Sequence, residues 1–117
     1  MTQMAIICNR EDSFMPTLIM GSSGIAIGNE VSIFITPGGS KAFLKGELEK
    51  NRELKGLPDP VELFDTIMDQ GGTFILCELA LENKDIDPKD LRDDRIKVMG
   101  APPWLMDIDE ATITFSF

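Results

Sequence analysis

Cys77 ends the apolar run Thr73-Phe-Ile-Leu-Cys77, and a thiol in that place is the side chain of this sequence best suited to chemistry. The run is bounded by Gly71-Gly72 and by Glu78, and it is too short for anything but a buried strand. In open α/β sheets, reacting groups gather at the carboxyl ends of the strands. A thiol there stands at the mouth of a crevice, near the start of the next helix. Two readings are open from position alone. Cys77 is either an inert, buried small hydrophobe or a reactive thiol. The reactive reading needs thiolate character, which a following helix N-terminus favours. Glu78 and Glu82 oppose it unless their side chains point away. Cys8, near the end of an N-terminal apolar run, is a candidate redox partner if its strand neighbours that of Cys77. Otherwise it is core.

The other options are few. The sequence contains no His and no Tyr, and two Cys. One chain therefore offers no Cys-His or Ser-His nucleophile pair and no tetrahedral Cys/His zinc site. Asp85, Asp87, Asp90, Asp93 and Asp94 lack the order of a calcium loop and read as a solvated acidic face. Gly21, Gly24 and Gly28 fall within a helical stretch, so they are not the dinucleotide fingerprint, whose glycines open the helix. Thr36-Pro-Gly-Gly-Ser-Lys41 sits at a strand end. The amides of Gly38 and Gly39 could hold an anion there, although the Walker spacing is missing and a plain turn explains the residues as well. Trp104, after two prolines, either walls a pocket over Cys77 or packs with Met99, Leu105 and Met106. No metal and no organic cofactor is expected.

Five strands are expected to position these groups, near residues 4–9, 30–36, 73–78, 95–100 and 111–117. Asp12 or Ser13 caps a helix running to about Ile27, whose small residues let it lie close to a sheet. A short helix is expected near residues 40–44, and residues 46–59 read as a charged, mobile loop able to shield Cys77. The clearest helix spans residues 60–70, with Asp59 as N-cap, Pro60 at N1, and Val61, Leu63, Phe64, Ile67 and Met68 as its apolar stripe. A polar stretch over 82–94 holds a short helix capped at Asp87, and a last helix starts at Gly100–Trp104. Strands alternating with helices predict an α/β domain over 1–117, with a mostly parallel sheet and helices on both faces.

The formal net charge is −9 at pH 7. Such a surface repels nucleic acid and anionic lipid. No apolar stretch approaches the ~18 residues that suggest a membrane span, so no membrane insertion is expected. The first residues lack the pattern of a signal peptide. The cytoplasm is the expected location, and two cysteines there do not suggest a disulfide scaffold.

Gly28-Asn-Glu-Val-Ser-Ile-Phe-Ile-Thr36 follows a small-residue helix that itself follows an apolar strand. Phe74-Ile-Leu-Cys-Glu-Leu-Ala-Leu-Glu82 follows a Gly-ended amphipathic helix. This order resembles the DsrE/DsrF-like family of small sulfur-handling proteins, including the branch labelled peroxiredoxin-like. The resemblance covers nearly the whole chain and implies a three-layer α/β/α fold with a parallel five-stranded sheet. It also implies oligomeric assembly and a Cys that carries sulfur as a persulfide. Cys77 matches the family's cysteine at the end of the third strand. Ala80 stands where the family often has Ser or Thr, and Cys8 where a small non-thiol residue is usual. The function implied is a sulfur carrier that accepts sulfane sulfur on Cys77 and passes it to an acceptor thiol. Its partners would be donor and acceptor proteins or small sulfane-sulfur species. The alternative is a non-catalytic subunit of a sulfur-relay complex. A thiol peroxidase is a third option, but the helix signature around a peroxidatic Cys is absent. The apolar cluster from Met99 to Met106 and the apolar C-terminal strand add a reason to expect a homo-oligomer.

Overall fold

A computed structural model describes residues 2–117. Five strands form one sheet: β1 Gln3–Cys8, β2 Glu30–Ile35, β3 Thr73–Cys77, β4 Lys97–Met99 and β5 Ala111–Ser116. Their spatial order is β4-β3-β2-β1-β5, and all pairs are parallel. Helix α1 (Phe14–Ala26) joins β1 to β2, and α2 (Pro60–Asp69) precedes β3. Helix α3 (Leu79–Asn83) follows β3, and α4 (Ala101–Asp107) joins β4 to β5. The fold is α/β, as the alternation predicts.

The order of the strands decides which face each helix covers. The chain steps away from β1 through β2 and β3 to β4, then returns past all of them to β5. Right-handed crossovers place helices of the outward steps on one face and the helix of the return on the other. Helices α1 and α2 accordingly share the main core with Ile6, Cys8, Ile33, Ile35, Phe74 and Leu76. The opposite face carries a smaller cluster of Ala5, Phe34, Ile75, Cys77 and Trp104, and only α4 covers it. Helices do lie on both faces, but unequally.

Small residues set the approach of α1. A Cβ on Gly21 would stand 3.0 Å from Ile67 Cδ1 and 3.1 Å from Ile33 Cδ1. One on Gly24 would stand 2.9 Å from Met4 Sδ. Helix α2 begins as its sequence predicts: the Asp59 carboxylate accepts from the Val61 N–H at 2.9 Å, with Pro60 next. Ser13 holds the N-cap position of α1, but its hydroxyl closes a turn instead, donating to the Arg10 carbonyl at 2.8 Å and accepting from the Arg10 amide at 3.0 Å. Asp87 caps a 3-10 turn over Pro88–Asp90, completed by the Asp90 side chain.

The segment from 46 to 59 differs from the free loop expected. Leu48 is fully buried in the main core and starts a 3-10 turn, Leu48–Asn51. The Arg92 guanidinium, its side chain only 9% exposed, grips Glu49 through two hydrogen bonds of 2.9 and 3.2 Å and lies 5.1 Å from the Phe64 ring centre. Arg52 pairs with Asp59 at 2.8 Å. The segment is thus fixed on the α1/α2 side of the sheet, away from the face that holds Cys77 and Trp104. It does not shield Cys77. No helix among the described residues is long and apolar enough to cross a membrane.

Candidate functional site

Cys77 closes β3 at the carboxyl edge of the sheet, in register with Met99 of β4. Alternation along β3 sends Phe74 and Leu76 to the main core, and Ile75 and Cys77 to the α4 face. The thiol lies in the smaller cluster with Phe34 and Trp104, and the residue is 6% exposed. No hydrogen bond reaches its Sγ among the described residues. Glu78, which follows, donates its backbone N–H to the Met99 carbonyl at 3.1 Å and is the N-cap residue of α3. Its carboxylate lies beside Gly100, within 3.1 Å of where a Cβ there would stand. An open cavity of about 500 Å³, lined by Pro37, Leu79, Glu82 and Asn83, lies along the same edge. Ala80 is fully buried in the main core, so a hydroxyl at that position would belong to the other face of the sheet.

Trp104 is 2% exposed. Its ring packs against Phe34 with centroids 4.8 Å apart and planes tilted by 32°, and its indole N–H donates to Ser32 Oγ at 2.8 Å. An indole N–H that enters a core needs such an acceptor. Trp104 and Cys77 therefore share one apolar cluster, built from β2, β3 and α4. Ser32 went unmarked in the sequence. Its signal was a small polar residue at an inward position of an otherwise apolar strand, Val31-Ser-Ile-Phe-Ile35.

Gly38 and Gly39 lie in a 3-10 stretch, Pro37–Phe43. Both press against backbone just past the end of β1. A Cβ on Gly38 would collide with the Asn9 carbonyl, and one on Gly39 with the Cys8 carbonyl. Close packing accounts for these glycines, and the Gly39 N–H is already donated to Thr36 at 3.0 Å.

The expected adjacency of the Cys8 and Cys77 strands is corrected by the sheet order. Strand β2 lies between β1 and β3, which puts the Cα atoms of the two cysteines about 10 Å apart across the sheet. The thiols also point to opposite faces, whereas a disulfide needs Cα atoms within about 7 Å. Cys8 is fully buried, with Ser13 Oγ 3.4 Å from its sulfur. Burial pushes its pKa above the ordinary thiol value, more than the hydrogen bonds from Ser13 and Thr17 lower it. No cluster of three or more acidic or Cys side chains among the described residues is placed to hold a metal ion.

Comparison with solved structures finds this arrangement elsewhere. The chain superposes on the ychN protein from E. coli with a TM-score of 0.71 over 100% of both chains, at 14% identity. It superposes on MTH1491 from Methanobacterium thermoautotrophicum, a protein of unknown function, with a TM-score of 0.66 over 98% of this chain and 97% of the other, at 12% identity. At such identities the likeness concerns the fold. No curated protein matches the sequence. The DsrE/DsrF-like family matches residues 6–117, and on that match the chain belongs to this family, which is associated with sulfur relay in general.

Proposed function

We propose that the protein is a sulfur carrier whose acceptor atom is Cys77 Sγ. The observation that carries this reading is the position of the thiol. It ends β3 at the carboxyl edge, two residues before α3, in an apolar cluster that includes Trp104. In the first step the Cys77 thiolate attacks the outer sulfur of a donor persulfide, R–S–SH. A Cys77–sulfur bond forms, the donor S–S bond breaks, the transferred sulfur keeps its proton, and the donor leaves as the thiolate R–S⁻. In the second step an acceptor thiolate attacks the outer sulfur of the Cys77 persulfide and the Cys77 thiolate leaves. No net oxidation occurs. Phe34 and Trp104 keep water from the persulfide while it is held. Exchange with either partner requires the cover over Cys77 to move, because the residue is only 6% exposed. The reading places the protein in the cytoplasm, as a homo-oligomer, with donor and acceptor proteins or small sulfane-sulfur species as partners.

The second reading is a non-catalytic subunit in which Cys77 is packing. It is favoured by the burial of the thiol and by the lack of a hydrogen-bond donor to its sulfur. Intact-protein mass after incubation with a persulfide or thiosulfate donor separates the two. The carrier gains one sulfur atom on Cys77 and loses it on reduction, Cys77→Ser gains none, and Cys8→Ser behaves as wild type. Failure of Cys77 to gain sulfur, or modification at Cys8 in its place, leaves the passive subunit as the answer.

A further inference from the structure

A cavity of about 300 Å³ opens on the α4 face, lined from the amino ends of the strands as far as Ile75 and Met99, and Cys77 is not among its lining residues. Its polar groups are sorted by charge. On the β1 side stand Gln3, Glu30 and Asp107. Gln3 is the register partner of Glu30, and its amide nitrogen donates to the Asp107 carbonyl at 3.0 Å. On the β4 side stands Lys97, opposite Ile75. Lys97 and Glu30 make no ion pair among the described residues. From strand spacing and rise, their Cα atoms lie about 16 Å apart across the face. Two long side chains reaching inward leave room between their charged ends for one small molecule.

Two hydrogen-bonding groups of the wall are incompletely used, one an acceptor and one a donor. The Asp107 carbonyl can only accept, so the Gln3 amide nitrogen must face it. The Gln3 Oε1 is then shut into the wall with no donor. Between the charged ends lie Ser32 and Thr73, with their hydroxyl oxygens 3.1 Å apart. The Trp104 indole N–H can only donate and takes one lone pair of Ser32 Oγ. The two hydroxyls share one hydrogen between them. The other has no protein acceptor among the described residues and remains for a ligand. Ile75 and Met99 supply the apolar side chains of the lining, and the Val31 side chain turns to the main core on the other face.

We propose that this cavity binds a free α-amino acid with a medium-sized apolar side chain. Its ammonium lies toward Gln3, Glu30 and Asp107, its carboxylate toward Lys97 and the spare hydroxyl hydrogen, and its side chain on Ile75 and Met99. The volume is at the lower end of the range for ligand cavities, which suits a molecule of this size. The site is separate from Cys77 and stands whether or not that thiol carries sulfur.

The test is a titration of the full-length, isotope-labelled protein with L-leucine, followed by backbone amide resonances. Two analogues each lack one charge: isoamylamine lacks the carboxylate and isocaproate lacks the amine. Leucine should shift the amides of Ser32, Thr73 and Lys97 saturably. Each analogue should bind at least about tenfold more weakly, which corresponds to about 1.4 kcal/mol. Glu30→Gln and Lys97→Met replace exposed side chains, so each should fold, and each should weaken leucine by a similar factor. Absence of saturable shifts, an analogue that binds as well as leucine, or full affinity in both variants overturns the assignment.

Discussion

Cys8 and Cys77 are the same residue type at the same kind of place, the last position of a parallel strand, and their surroundings separate them. Cys8 faces the main core, with Gly39 pressed against it from outside and a raised pKa that disfavours its thiolate. Cys77 faces the thinly covered side. Alkylation by iodoacetamide at neutral pH should therefore leave Cys8 untouched in the native protein and modify it only on unfolding, as read by peptide mass. Rapid native modification of Cys8 would contradict this packing. The sequence told the strand-end position of both thiols, because apolar runs and flanking turns are local signals. It did not tell that they lie on opposite faces with a strand between, because strand order is a non-local outcome. Gly38 and Gly39 were misleading for a related reason. A Gly pair at a strand end reads as an anion loop or a turn, whereas here each glycine admits a backbone segment some thirty residues away in the chain.

At the level of elements, the amphipathic helix α2 was fully legible, with its cap, its proline and its stripe in ten residues. The segment over 46–59 was not. Its charges suggested solvent, yet one leucine enters the core and two charges serve as fastenings. Nothing near Glu49 in sequence announces Arg92, 43 positions on. Glu49→Gln should lower stability by about 1 kcal/mol or less, since the carboxylate is partly exposed and screened. The pH dependence follows from the direction of the shift. The hydrogen bonds from Arg92 hold the Glu49 carboxyl below its ordinary value of 4.5. Its contribution is fully present above that value and is lost as pH falls through the lower, folded value. Urea unfolding of wild type and variant should thus differ at neutral pH and converge in acid. A difference that persists in acid would assign the effect to packing of the Glu49 stem instead.

For the whole molecule, the uneven cover of the sheet matters most. One face is packed by α1 and α2, and the other has seven residues of α4. Leu79 is 67% exposed and Met106 76%, with Leu105 beside it also in solvent. Apolar side chains on and beside an incompletely covered face favour contact between copies. Light scattering at micromolar concentration should report more than one chain per particle, and Leu105→Glu with Met106→Glu should shift it toward the monomer. A clean monomer for the wild type would exclude self-association through this face. Strand β5 has a consequence for how the chain comes off the ribosome. It pairs with β1, Gln3 against Ala111, so the earliest of these five strands to be synthesised waits for the latest. Until then one flank of Met4-Ala-Ile-Ile7 offers unpaired amides and carbonyls beside apolar side chains, an invitation to strand exchange with other nascent chains. Synthesis that stalls before residue 111 should therefore yield aggregates rather than a shortened native protein.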